Sequence, residues 1–250
     1  MMSCMTTVWT ARSLMTKCNA VLITAAGTSQ RFGQKKEYLS LSAGSDITVL
    51  SASLYAFVAT GLFTYYAITV PQGETEVVAQ LLAADKRLSC FLNENQNRLF
   101  ITEGGASRQE SVYKGLVTLA DKAPDAITHV LVHDGARPWV SGKIIATVLK
   151  ATQKYGAAVP MIPVTDTQKE VDETGKIIRH LERDRVIAVQ TPQGFVFEKL
   201  LAAHRSAEHD GEVYTDDSEI YAHYCNPVYI CPGTRENKKI TYREDLEDSI

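Results

Sequence analysis

The sequence predicts an α/β fold in which a mostly parallel, twisted sheet is flanked by helices, and three observations carry that prediction. Short runs rich in Val, Ile and Leu recur along the chain and are apolar nearly throughout, the pattern of strands covered on both faces. The stretches between them are long enough, and helical enough in their apolar spacing, to serve as crossovers between parallel strands. A length of 250 residues with a hydrophobic fraction of 45% suffices to fill the core of such a fold.

Taken in order, AVLITAAG at 20–27 reads as a strand that breaks at Gly27, and ITVLSASLYAFVAT at 47–60 as a helix stopped before Gly61. YYAITVP at 65–71 is the next strand, GETEVVAQLLAADKRL at 73–88 the next helix, and RLFITEGG at 98–105 a third strand. The helix SRQESVYKGLVTLADK at 107–122 opens with Ser107 and Glu110 in an S-x-x-E capping box, so its first amides face whatever lies ahead and suit a phosphate. THVLVHDG at 128–135 is a fourth strand, SGKIIATVLKATQKYG at 141–156 a helix stopped by Gly156, and AAVPMIPV at 157–164 a fifth strand. From 165 to 195 the pattern becomes polar and charged, with Glu173, Thr174 and Gly175 as a hairpin turn between two alternating strands. This segment, about 164–188, reads as a protruding β-arm with little core of its own, which a second copy of the chain would stabilise; a homodimer is therefore expected. One domain over 20–250, preceded by a poorly ordered extension over 1–19, accounts for the whole chain.

Composition narrows the function. Lys and Arg number 26 against 29 Asp and Glu, a net charge of −3, so there is no global positive field to hold nucleic acid through counterion release. The five cysteines, Cys4, Cys18, Cys90, Cys225 and Cys231, are odd in number and scattered without a CxxC pair, which argues against a disulfide framework and a structural zinc site and fits a reducing, cytoplasmic setting. The first 19 residues lack acidic groups and carry Arg12 and Lys17, weakly like a transit segment but without the apolar core of a secretory signal; an early start codon or frayed extension is the expected reading. No run approaches the roughly 18 apolar residues of a membrane-spanning helix, so a soluble protein is expected.

The chemistry is carried by scattered polar residues. The loop after the first strand matches neither GxxxxGK[ST] nor, through Gly27, Ser29 and Gly33, the dinucleotide pattern GxGxxG. It does place Arg31, Lys35 and Lys36 at the carboxyl end of a strand, where open α/β sheets bind ligands; a solvated basic turn is the alternative. In VLVHDGARPWV, Asp134 and Arg137 reach the same sheet edge, either to meet a cation and a phosphate or to pair with each other, while His133 is expected to make a structural hydrogen bond. Gly104 and Gly105, before a helix carrying Arg108 and Ser111, allow close backbone approach to a base or ribose, or simply make a tight turn. Thr191, Thr215, Asp216, Glu236 and Lys239 are each ordinary alone. Together, Arg31, Lys36, Arg137, Arg183 and Lys239 supply cations from five segments, and Asp134 with Glu236 would hold a divalent metal, an inventory suited to transfer between phosphates.

The segments HDGARP, DTQK, QTPQGF, TDD and NKKIT, in this order, resemble the 2-C-methyl-D-erythritol 4-phosphate cytidylyltransferases, and the match runs from about Ala20 to the end. The resemblance implies a Rossmann-like nucleotide-diphospho-sugar transferase fold with a seven-stranded sheet, a homodimer formed through the arm, and dependence on Mg²⁺. Carried over by position, Ala25, Ala26, Gly27, Arg31 and Lys36 form the CTP loop, Gly104, Arg108 and Ser111 hold cytosine and ribose, and Asp134 contacts nucleotide and metal. Arg31, Lys36 and Lys239 are the implied catalytic set. The acceptor sugar phosphate would meet Arg137, Thr191, Thr215 and Lys239, with Thr167 and Arg183 reaching in from the partner's arm. This chain departs from the family in having Ser29 for a second glycine, a shorter loop, Lys35 for a proline, Gly135 for an alanine and Glu236 for an aspartate; Lys35 is thereby a rival to Lys36. Ribitol-5-phosphate cytidylyltransferases share most of these motifs, and a catalytically silent nucleotide-binding protein and a nicotinamide-linked dehydrogenase are further readings, the last disfavoured by the missing GxGxxG.

Overall fold

A computed structural model describes residues 18–27, 32–123 and 126–247. Arg31 and most of the N-terminal extension lie outside these described residues. Strand β1 (Cys18–Thr24) is the middle of the fold because Ala20, Val21, Leu22 and Ile23 are all fully buried, which only a central strand with both faces covered permits. On one side it pairs in parallel with β2 (Tyr65–Val70), which pairs with β3 (Leu99–Glu103); on the other it pairs in parallel with β4 (Ile127–Asp134). Beyond β4 come antiparallel β9 (Gln193–Val196), then β5 (Ala157–Pro163), then parallel β10 (Tyr229–Pro232) at the edge. The eighth strand, β8 (Ile187–Val189), runs antiparallel on β5, so the seven strands implied by the resemblance form one path and β8 branches from it.

Alternate residues of each strand serve different layers. Val21 and Ile23 face α1 (Val49–Val58), α2 (Thr75–Ala84), α3 (Ser89–Glu94) and α5 (Gly142–Tyr155), where Leu50, Phe57, Leu82, Phe91 and Val148 pack. Ala20 and Leu22 face α4 (Arg108–Lys122), α6 (Phe197–Asp210) and α7 (Asp217–Tyr224), through Val112, Leu116, Leu200 and Tyr221. Each such side chain contributes roughly 1.5–3 kcal/mol on burial, which is why the strands show no polar alternation. The described chain ends in a short helix, α8 (Glu244–Glu247).

The four helices read from sequence are present, with adjusted ends. The first begins at Val49 because Thr48 is its cap, exchanging hydrogen bonds with Ser51. The capping box at Ser107 is only half formed: Ser107 Oγ accepts from the Glu110 amide at 3.0 Å, but the Glu110 carboxylate reaches one residue further back and accepts from the Ala106 amide at 2.7 Å. The hairpin consists of β6 (Lys169–Val171) and β7 (Ile177–His180), every residue of which is exposed. Asp172 Oδ1 accepts from the amides of Thr174 and Lys176, both at 3.0 Å, and Gly175 takes the left-handed φ of +84° that the turn requires. Among the described residues no helix is long and apolar enough to cross a membrane.

Candidate active site

Chain direction sets where a site forms. From β1 the sheet grows one way through β2 and β3 and the other way through β4, so the carboxyl ends of β1 and β4 diverge around a crevice. Thr24 and Asp134, the last residues of these two strands, are register partners at its floor.

Asp134 is fixed from below. Its backbone N–H donates to Thr191 Oγ1 at 3.0 Å, and Thr191 Oγ1 lies 3.0 Å from His133 Nδ1, whose other nitrogen, Nε2, lies 3.2 Å from the Arg137 carbonyl. A carbonyl only accepts, so Nε2 carries the proton; burial pushes the His133 imidazole down to about 4, leaving Nδ1 to accept from the Thr191 hydroxyl. Every proton in this series of bonds is thereby assigned. His133 is a buried structural donor, as its sequence context led one to expect.

Around the Asp134 carboxylate stand Lys239 Nζ at 2.9 Å, Arg137 Nε at 3.5 Å and Arg108 Nε at 3.8 Å. Burial by itself would raise this carboxyl; Lys239, then Arg108 and Arg137, outweigh it and hold the group well below the usual carboxylate range. Lys239 is brought here by a C-terminal segment tied across the sheet. The Asn237 carbonyl accepts from Arg137 Nη1 at 2.7 Å, Asn237 Nδ2 donates to the Thr191 carbonyl at 2.8 Å, and the Ile240 amide donates to the Ala136 carbonyl at 2.9 Å. Arg108, first residue of α4, donates from Nη2 to Asp217 at 2.7 Å.

The opposite wall is the segment after β1. Lys36 opens a 3₁₀ turn over Lys36–Tyr38 and is only 8% exposed, whereas Lys35 points away to an ion pair with Glu74, which also accepts from the Tyr38 hydroxyl at 2.6 Å. Between the walls lies a cavity of about 630 Å³ lined by Ala26, Gly27, Lys36, Gly105, Ser107, Arg108, Ser111, Asp134 and Lys239 of the residues singled out from sequence. Ser111 shapes the entrance to α4 rather than standing free: its hydroxyl accepts from the Gly105 amide at 3.0 Å and donates to the Ser107 carbonyl at 2.8 Å.

Other singled-out residues take different places. Ala25 is buried in the core beside β2, and Gly104 stands just outside the lining, where a Cβ would strike Ala26 and come within 2.7 Å of Ser111 Oγ. Arg137 and Thr191 are buried behind and beneath Asp134. Thr215 is exposed, its amide and hydroxyl both donating to Glu219 at 2.8 Å. Glu236 is exposed, engages Thr234 and does not line the cavity; among the described residues no group of three or more His, Cys, Asp or Glu gathers to hold a metal. Thr167 and Arg183 are exposed on the arm, where Arg183 Nη1 donates to the Thr165 carbonyl at 3.4 Å. Sequence reasoning missed the lining residues Thr24, Phe32, Glu37, Ala106, Ala136 and Thr241, and the buried Asp217, which looks from sequence like any acidic residue opening a helix.

Residues 19–249 match the family model described as 2-C-methyl-D-erythritol 4-phosphate cytidylyltransferase. The protein of that name from Pelotomaculum thermopropionicum is 37% identical over 229 residues, 91% of this chain and 90% of its own. That from Bacillus cereus strain ATCC 14579 is 34% identical over 226 residues, 90% of this chain and 93% of its own. The crystal structure of 2-C-methyl-D-erythritol 4-phosphate cytidylyltransferase from Thermus thermophilus superposes with a TM-score of 0.70 at 32% identity, covering 94% of this chain and 97% of that one. With its site at the divergence of β1 and β4 and these likenesses over nearly its full length, the chain belongs to the 2-C-methyl-D-erythritol 4-phosphate cytidylyltransferase family.

Proposed function

We propose that the chain transfers CMP from CTP to 2-C-methyl-D-erythritol 4-phosphate, releasing pyrophosphate and forming 4-diphosphocytidyl-2-C-methyl-D-erythritol, a step of non-mevalonate isoprenoid biosynthesis. The observation that carries this reading is the convergence of Lys36, Arg108 and Lys239, from three separate segments, on one cavity beside Asp134. No general base is needed, because a phosphate monoester has a second pKa of about 6 and is mostly dianionic at neutral pH. Its oxygen attacks the α-phosphorus of CTP, a new P–O bond forms, and the bond to the β-phosphate breaks with its electron pair leaving on pyrophosphate. Lys36 and Lys239, with Arg31 as the family resemblance implies, neutralise charge on the non-bridging and leaving oxygens.

Two carboxylates, Asp134 and Glu37, line the cavity, and Asp134 is the one that the family resemblance assigns to a metal. Asp134 is a lining carboxylate already flanked by three cations, so an ion there would take most of its ligands from phosphate oxygens, as Mg²⁺ commonly does. Bound in that manner, Mg²⁺ supplies charge neutralisation along the triphosphate. Glu236 is outside this set, and Asp134 is the residue that would hold the ion.

The arm belongs to the same proposal. Val171, Ile177 and Ile178 are 54%, 49% and 56% exposed on strands of three and four residues, too short to be stable as an isolated hairpin. Pairing with a second copy would cover them and carry Thr167 and Arg183 toward the partner's cavity. Mass analysis of the products formed from CTP, Mg²⁺ and a panel containing 2-C-methyl-D-erythritol 4-phosphate and ribitol 5-phosphate tests the reaction. A diphosphocytidyl adduct of the first is expected; exclusive conversion of ribitol 5-phosphate, or no pyrophosphate release, refutes it. Sedimentation tests the dimer.

A further inference from the structure

One guanidinium, that of Arg108, has two carboxylates within reach. Its Nη2 donates to Asp217 Oδ2 at 2.7 Å, while its Nε stands 3.8 Å from Asp134 Oδ1, beyond hydrogen-bond range. The two acids differ in setting. Asp134 faces the cavity and already holds Lys239 at 2.9 Å. Asp217 is fully buried at the start of α7, outside the cavity lining, and its second oxygen accepts from His204 Nε2 of α6 at 3.1 Å. Both oxygens of Asp217 are thus fixed, one by a residue that never reaches the cavity and one by a residue that does.

We propose that Asp217 is a positioning residue, holding the Arg108 guanidinium from behind the cavity wall so that this cation meets the nucleotide instead of collapsing onto Asp134. The role rests on reading the cavity as the CTP site. Its physical basis is competition: an Arg side chain that loses one carboxylate swings to the nearest remaining one, here Asp134, and charge-assisted, two-point contacts decide the outcome. Collapse would remove a cation from the nucleotide's path and crowd a carboxylate that already holds Lys239. The Asp217 carboxylate is ionised for this purpose, since burial opposes its charge but Arg108 and His204 outweigh that and lower it to about 2.

The test is a double-mutant cycle in the full-length protein, reading CTP affinity by calorimetry without acceptor and KM against kcat in turnover. Asp217→Asn is expected to weaken CTP binding about tenfold, with kcat changing less, and to have no further effect in an Arg108→Ala background. His204→Gln, which leaves the Asp217–Arg108 pair in place, is expected to lower Tm while CTP affinity stays within about twofold. Additive losses in the cycle, or unchanged CTP affinity in Asp217→Asn, would overturn the proposal. Should Asp217→Asn not fold, arginine-selective ¹⁵N spectra of the wild-type protein without CTP decide it. A guanidinium resonance that is absent from Arg108→Ala and shows slow rotation and slow hydrogen exchange supports the role; a freely averaging Arg108 overturns it. Wild-type protein that binds and turns over no CTP would sink both this role and the proposed function, whereas CTP turnover with additive losses would sink only the role.

Discussion

Replacing Thr191 by Val tests the architecture of the site most directly. The substitution keeps the shape of the side chain and removes one hydroxyl that accepts from the Asp134 amide at 3.0 Å and donates to His133 Nδ1 at 3.0 Å. All three residues are buried, so water cannot take over either bond. Leaving a buried donor or acceptor unpartnered costs about 1–3 kcal/mol, and the two orphaned groups together should lower stability by about 2–6 kcal/mol, less whatever the extra methyl regains. For a chain of this length about 1 kcal/mol shifts Tm by about 2–4 °C, so a fall of roughly 4–24 °C is expected, with a matching drop in the urea midpoint at unchanged m-value. Turnover should fall as well, since Asp134 loses the bond that fixes its backbone, but KM for the acceptor should move less than kcat. The assay is thermal and urea unfolding beside steady-state kinetics. A Tm within about 2 °C of wild type together with an acceptor KM raised about tenfold would refute the reasoning, because it would mean that the hydroxyl faces substrate, as the family resemblance implied, and not the floor beneath Asp134.

Other perturbations have separate readouts. Lys36→Ala should lower kcat at least ~100-fold in a pyrophosphate-release assay, the scale of losing one preorganised electrostatic partner, whereas Lys35→Ala, whose ammonium is committed to Glu74, should stay within a few-fold. His133, buried neutral and lowered to about 4 from an ordinary 6.5, contributes stability that is complete above pH 6.5 and lost as the pH falls toward 4. That loss is about 3 kcal/mol, and urea midpoints across this range should decline in wild type and stay flatter in His133→Gln. Asp134 and Asp217 are both depressed, so their contribution is present above the unfolded carboxylate pKa of about 3.9 and disappears below it; a second fall in stability under about pH 4 should shrink in Asp217→Asn. Gly104→Ala should lower Tm and raise the CTP KM together, because its Cβ clashes with Ala26 and Ser111 at the cavity edge and forces that wall to shift; an unchanged KM would place the nucleotide elsewhere.

Everything governed by local pattern was legible in the order of residues. Apolar runs without alternation marked doubly covered strands, Gly27, Gly61 and Gly156 marked where elements stop, and Glu173–Gly175 marked the hairpin, because burial on two faces, helix termination and positive φ each select residue types within a few positions. The cations and Asp134 were legible too, as charges at strand ends. Which of them share a cavity was settled by packing alone. Lys35 and Lys36 are neighbours of equal charge, yet Glu74, nearly forty residues away, takes one while the other is buried against the cavity. Thr191 became a buried support for Asp134, Glu236 stayed exposed outside the cavity, and Asp217 came to hold Arg108, since each outcome depends on long-range contacts between α4, α6, α7 and the C-terminal segment. A residue's type records what it can bond to; which partner it meets is set by how distant segments pack, and no short-range pattern encodes that.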